Sequence, residues 1–292
     1  MLKLLKFVIK IRILLIKDEE IKTVIEVFKK NSSYNFSEYS AKSFRRRIEK
    51  ILIDESCTIK KLITKLETNE KYLDYIKNKI TVNTTELFRD SEMWISLYKP
   101  LKQYLIHKQD INIWHAGISS GEEIYSMKIF LDIINYKGNQ KLLGTDFNNI
   151  ILEIAKKGEY KNNIIADYIN NYNLVRNGLS KYEFFNDFSK YITYNEDKDL
   201  LIIKNEYKNN IKIDFFDLIN SEYNFNTKFD IIMCRNVLIY FDLNLQNTII
   251  NKFYNLLNKG GLLILGAHES IMPPLLNKFE NKGDNIYQKI TI

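Results

Sequence analysis

The chain has 292 residues, 45% of them hydrophobic and 27% charged, a composition that excludes wholesale disorder. Three prolines and ten glycines exclude collagen-like and Pro-rich repeats, and two cysteines exclude a disulfide scaffold and a Cys-based zinc site. Lys and Arg outnumber Asp and Glu by 43 to 36, and the resulting +7 invites a nucleic-acid or anionic-surface reading without saying where the charge sits.

Cys57 and Cys234 read as free thiols of a reducing cytosol, so a cytoplasmic protein is expected. The first residues, MLKLLKFVIKIRILLIK, lack the uninterrupted apolar core of a secretory signal, because Lys3, Lys6, Lys10, Arg12 and Lys17 break it up. No apolar run reaches the roughly 20 residues that a spanning helix needs. Residues 1–17 are therefore either a basic amphipathic surface segment or an extra element packed on the first domain.

Charge and glycine both divide the chain. Residues 1–80 hold 19 Lys and Arg against 11 Asp and Glu, a balance of +8, whereas the remainder holds 24 against 25. All ten glycines lie at or after Gly117. Two compositions imply two domains, 1–80 and 81–292.

In the first, residues 18–30 place Ile21, Val24, Ile25 and Phe28 at helical spacing, with acidic residues in the first turn. Residues 40–53 form a second helix, with Phe44, Ile48, Ile51 and Leu52 inward and Arg45, Arg46 and Arg47 mostly outward. Residues 58–67 and 69–80 read as two more, which gives a basic all-α bundle.

After residue 105 short apolar runs alternate with helical stretches. INIWHAG precedes a helix over 122–135, and KLLGTD precedes NNIILEIAKKG. IKIDFFDL and FDIIMCRN follow, and LNLQNTIINKFYNLLNKGG leads into LLILGAHES. Buried strands alternating with helices predict a mainly parallel, doubly wound α/β sheet. KYITYNE and KDLLIIKNEYK, within about 180–212, read as an inserted β-hairpin.

Ligands of such sheets bind beyond the carboxyl ends of the strands. The first strand ends in HAGISSGEE, which is neither a dinucleotide fingerprint nor a P-loop. It turns acidic at Glu122 and Glu123, which repels phosphate and suits a cationic amino-acid group. Asp146, at the end of the next strand, is placed to accept hydrogen bonds from ribose hydroxyls. Asp217, after the third, could accept from an adenine amino group. Ribose, adenine and an ammonium-bearing tail together describe S-adenosylmethionine. A lone strand-end Asp is more often a helix N-cap, but several at successive strand ends point to a ligand.

These segments, with NTTELFRD at 83–90, IWHAGISSGEEIYSM at 113–127 and FDIIMCRNVLIYF at 229–241, resemble the CheR-type chemotaxis receptor methyltransferases. YNFSEYSAKSFRRRIEKIL at 34–52 resembles that family's small helical N-terminal domain. The resemblance runs from about residue 18 to 292; residues 1–17 and the insert are poorly covered. It implies a class I Rossmann-like methyltransferase sheet and methyl transfer from S-adenosylmethionine to glutamate carboxylates of chemoreceptors.

The resemblance further implies that Asn83, Thr85 and Arg89 line the cofactor from the linker side. Gly117 and Glu123 would hold its methionine end and Asp146 its ribose. Asp217, Leu218, Arg235 and Asn236 would complete the adenosine pocket, and Arg89 and Tyr240 would lie near the transferred methyl. No metal is expected. Two departures from the family pattern, Ile118-Ser119-Ser120 in the first loop and Asp217 where Asn is common, are tolerable. His115, His268 and Cys234 are read as structural.

Arg45, Arg46 and Arg47 are a solvated helix face by spacing alone, and a docking surface for an acidic receptor helical bundle in light of the charge map. The insert binds a receptor's C-terminal peptide or is plain structure. A monomer without direct membrane insertion is expected. Against nucleic-acid methylation, the fourth strand ends in C-R-N-V rather than the N/D-P-P-Y/F of base amino-group methylation. The remaining alternative is a non-catalytic S-adenosylmethionine-binding signalling module.

Overall fold

The computed structural model describes residues 16–32, 34–81 and 84–290. These fall into two compact units, one within Met1–Val82 together with Ile239–Leu245, the other within Asn83–Leu238 and Gln246–Ile292. No helix among the described residues is long and apolar enough to cross a membrane. Of the expectation for residues 1–17, all but the last two residues lie outside the described range.

The first unit is built on α1 (Asp18–Asn31), α2 (Ala41–Asp54), α3 (Ile59–Thr68) and α4 (Glu70–Ile80). Each turns one apolar stripe inward, and Val24, Phe28, Phe44, Ile48, Leu62 and Ile76 are almost fully buried together. Asn69 caps α4 by accepting the Tyr72 amide at 3.0 Å. Segment 239–245 joins this unit through backbone bonds. Ser40 N donates to Tyr240 O at 2.8 Å, and Asp242 N donates to Glu38 O at 3.0 Å.

The second unit carries a seven-stranded sheet of β1 (Asp110–Ala116), β2 (Asn139–Asp146), β6 (Ile211–Phe215), β7 (Phe229–Cys234), β8 (Leu257–Leu265), β9 (Phe279–Asn281) and β10 (Ile286–Lys289). Its order is β6-β2-β1-β7-β8-β10-β9. The first five run parallel, and β10 runs antiparallel to both of its neighbours, β8 and β9. All six residues of β7 are buried, as a parallel strand covered on both faces requires. Helices α5 (Ser91–Leu105), α6 (Glu122–Ile133), α7 (Asn149–Lys157) and α9 (Leu243–Leu256) accompany this sheet. A smaller antiparallel sheet of β3 (Glu159–Lys161), β4 (Ile192–Asn195) and β5 (Leu200–Ile203) has order β3-β5-β4.

The expected α/β class is thus found, as a mixed, mainly parallel seven-stranded sheet with an N-terminal helical region and a small antiparallel sheet. The structure adds elements that the sequence pattern does not announce. The expected hairpin is β4 and β5, and it gains a third strand, β3, from residues just beyond the helical stretch NNIILEIAKKG. Helix α8 (Ile165–Leu179) buries Tyr168, Tyr172, Val175 and Leu179, an aromatic stripe broken by asparagines. Helix α5 contains Pro100 yet buries Trp94, Leu97 and Leu101. The expected helix tail LNKGG belongs instead to β8, which starts at Leu257.

Asp230 fixes the entry edge of the sheet. This buried carboxylate accepts from Tyr104 Oη at 2.6 Å, Asn112 N at 2.9 Å, Asn258 Nδ2 at 3.0 Å and Lys108 Nζ at 3.0 Å. Burial opposes its charge, but these donors outweigh burial and lower its pKa. A depressed carboxylate stabilises the fold above its unfolded value of about 3.9, and that contribution is lost as pH falls through the folded value. Asp230→Ala is expected to cost about 3 kcal/mol in urea unfolding at pH 7, with a smaller difference between variant and parent near pH 3.

Candidate functional site

Strand order runs outward from β1 to β2 and β6 on one side and from β7 to β8 on the other, so the topological switch lies between β1 and β7. A crevice at the carboxyl ends of these strands is where an open α/β sheet takes a ligand. The loops that leave β1, β2, β6 and β7 meet there.

The β1 loop is shaped by backbone that few side chains adopt. Gly117, Ser119 and Gly121 have φ of 85°, 51° and 92°. At Gly117 a Cβ would stand 2.5 Å from Val237 Cγ2, so the loops after β1 and β7 approach as closely as hydrogen at that position allows. Asn236, at φ 59°, and the linker residues Phe88 and Asp90, at 52° and 57°, are also left-handed. Such conformations cluster where surrounding contacts impose them, often at functional sites.

Carboxylates hold the loops in place. Asp146 accepts Ser119 N at 2.9 Å and Asn148 N at 3.0 Å, tying the β1 loop to the end of β2. Glu269, beyond β8, accepts Asn236 N at 2.9 Å, Val237 N at 2.8 Å and Gly266 N at 2.6 Å. Asp217 closes its own turn, accepting Ile219 N at 2.8 Å and Asn220 Nδ2 at 2.8 Å. Asp217, expected to accept from an adenine amino group, also caps the turn that follows its strand.

The densest charge lies at the start of α6. Glu123 Oε1 is 2.9 Å from His115 Nδ1, and Glu123 Oε2 accepts Arg235 Nη1 at 3.1 Å. Arg235 Nη2 reaches Asp90 Oδ2 at 2.7 Å and the Arg89 carbonyl at 3.1 Å. The Arg235 side chain is only 2% exposed. Burial pushes the Glu123 pKa up, but the His115 hydrogen bond and the charge of Arg235 outweigh it, so Glu123 is held below the usual carboxylate range. Glu122 beside it faces Ser120 Oγ at 2.6 Å and Tyr168 Oη at 2.8 Å. Burial there exceeds what two hydroxyls return, and its pKa is raised.

The sequence-derived residues Glu123, Asp146, Asp217, Arg235, Asn236 and Gly117 thus stand at or just beyond these strand ends, and Leu218 is buried beside Asp217. Thr85 is half-buried in the linker, and Asn83 lies outside the described residues. The Arg89 guanidinium donates to Thr84 O at 2.9 Å, and its carbonyl meets Arg235. Tyr240 belongs to the helical unit, where its carbonyl accepts Ser40 N.

Arg45, Arg46 and Arg47 do not form one exposed set. Arg45 is bonded to Asp18 and to the Ile16 carbonyl, Arg47 is half-buried, and Arg46 is exposed. Sequence reasoning assigned no site role to Asp90 and Glu269. Both sit in quoted motifs, FRD and GAHES, at strand or linker ends where an acidic residue could have been flagged.

The family model "CheR methyltransferase, SAM binding domain" matches residues 83–287, well over half of the chain. The chain is 29% identical over 271 residues to a chemotaxis protein methyltransferase of Borreliella burgdorferi, covering 88% of this chain and 89% of the relative. A protein of the same name from Listeria monocytogenes is 28% identical over 251 residues, covering 85% and 88%. Chemotaxis protein methyltransferase 1 of Vibrio cholerae is 32% identical over 210 residues, covering 69% of each.

Substituting Gly117→Ala adds a methyl group against Val237 on a backbone disfavoured for any L side chain. A loss of about 2 kcal/mol in chemical denaturation is expected.

Proposed function

Because the chain belongs to the CheR methyltransferase family and is an S-adenosylmethionine-dependent methyltransferase, we propose that it methylates glutamate side chains of chemoreceptors. The observation that carries the proposal is the largely enclosed Glu123 carboxylate at the switch point, ionised and oriented by His115 and Arg235. A fixed, desolvated carboxylate suits an ammonium group and repels a phosphate.

The residues present fit such a cofactor. The side chain of Ser119, with its buried Oγ free of protein partners, and the close approach at Gly117 make a cradle that a Cβ would fill. Glu123 would take the amino group. Asp146, held by the Ser119 and Asn148 amides, would face the ribose hydroxyls. Asn83, Thr85 and Arg89 would line the linker side, and Leu218 and Asn236 the adenosine. Arg235 would act through Glu123 and Asp90, and Asp217 through the turn it closes. When bound, S-adenosylmethionine supplies a sulfonium methyl, whose bond electrons return to sulfur as a glutamate oxygen takes the methyl.

A glutamate carboxylate, with an ordinary pKa of about 4.3, is already ionised at neutral pH and needs no general base. The chain has only to strip water, align the oxygen and hold the carboxylate. Arg89 would hold it by charge-assisted hydrogen bonds, and the Tyr240 hydroxyl would position it. The helical unit would dock the acidic receptor bundle, with Arg46 presented beside Lys42 and Lys50 on one exposed face of α2.

Incubation with radiolabelled S-adenosylmethionine and receptor-containing membranes is expected to leave base-labile label on receptor; cofactor binding without transfer would exclude the proposal. Arg89→Ala is expected to lower turnover by at least about 100-fold while changing cofactor affinity much less. Combined Lys42→Glu, Arg46→Glu and Lys50→Glu should slow receptor methylation by roughly tenfold at low salt and less at high salt, with cofactor affinity unchanged.

A further inference from the structure

His115 is the one imidazole at the crevice whose side chain is fully enclosed, and it stands on the central strand with Gly144 of β2 and Met233 of β7 as its neighbours. Its Nδ1 lies 2.9 Å from Glu123 Oε1, and its Nε2 is buried without a hydrogen-bond partner. An ionised carboxylate can only accept, so the proton of this contact sits on Nδ1. Histidine at a wholly apolar strand position would gain nothing over leucine, and it leaves one nitrogen unpaired at a cost. The cost is intelligible if the other nitrogen does something a leucine cannot.

We infer that His115 is a positioning residue for the cofactor's amino-acid end: its Nδ1–H fixes the rotamer of Glu123 so that the carboxylate faces the ammonium group. The inference rests on the proposed role of Glu123. Arg235 alone does not fix the carboxylate, because it grips a single oxygen, Oε2, and is itself shared with Asp90 and the Arg89 carbonyl. With His115 on Oε1, both oxygens are directed. The charges also balance. Glu123 and Asp90 are offset by Arg235 and the incoming ammonium. A lysine at the same point would compete with the ammonium for Glu123.

The test compares two ligands on the full chain by calorimetry. S-adenosylhomocysteine carries the amino-acid end, and 5′-methylthioadenosine lacks it. His115→Leu is expected to weaken S-adenosylhomocysteine by about tenfold or more and methylthioadenosine by no more than about twofold. His115→Asn, whose amide reaches the Nδ1 position, is expected to restore most of the loss. If His115→Leu fails to fold, His115→Gln, whose amide reaches toward Nε2 instead, is expected to give the same selective loss. Unchanged binding of S-adenosylhomocysteine, or equal weakening of both ligands, overturns the inference. Glu123→Gln separates it from the reading beneath: no loss of S-adenosylhomocysteine in that variant overturns both, whereas loss there without loss in the His115 variants overturns the His115 role alone.

Discussion

A carboxylate removed from water is costly unless donors and opposite charge surround it, and this constraint organises the second unit. Asp230, Glu123, Asp146 and Glu269 are each largely buried, and each gathers donors from elements far apart in the chain. Asp230 ties α5 and the start of β1 to β7 and β8 at one end of the strands. The other three tie the loops at the opposite end. Pinning both ends of the central strands with satisfied charges is what allows the β1 loop to keep left-handed backbone at a non-glycine, Ser119.

Glu122 and Glu123 are adjacent in sequence and opposite in electrostatics. Glu123 faces a histidine and an arginine and is held ionised. Glu122 faces hydroxyls in a buried pocket, and its proton is harder to remove. One residue of helix thus separates an anionic anchor from a carboxyl group that closes the packing of α6 against α8 through Tyr168. Composition cannot distinguish the two, because the difference lies wholly in which partners the fold brings to each.

Much of the architecture was legible from periodicity. The four helices of the first unit have strong apolar stripes at 3.6-residue spacing, and the buried strands β1, β2, β7 and β8 are short apolar runs ending in Gly, Asp or Asn. Helix α8 was not legible, because its inward face is made of tyrosines whose hydroxyls reach Glu122 Oε1 and the Asn186 carbonyl, and aromatic residues among asparagines do not read as a stripe. Strand β3 is three residues long and exists only by pairing with β5 some forty residues later. The arginine run shows how tertiary contacts divide a single run of sequence. Three adjacent basic residues look like one surface, yet helical geometry sends Arg45 back to Asp18 and leaves Arg46 outward.

The sequence by itself determined the fold class, the family and the list of residues that gather at the strand ends, because local spacing and motif order are properties of the chain alone. Tertiary structure decided what each of those residues has left to offer. Asp217 closes its own turn, Arg235 is shared between Glu123 and Asp90, and His115, read from sequence as merely structural, touches the Glu123 carboxylate at the switch point. Hydrogen-bond capacity is finite, and which partner consumes it depends on contacts between residues up to 146 positions apart. No local pattern encodes such contacts.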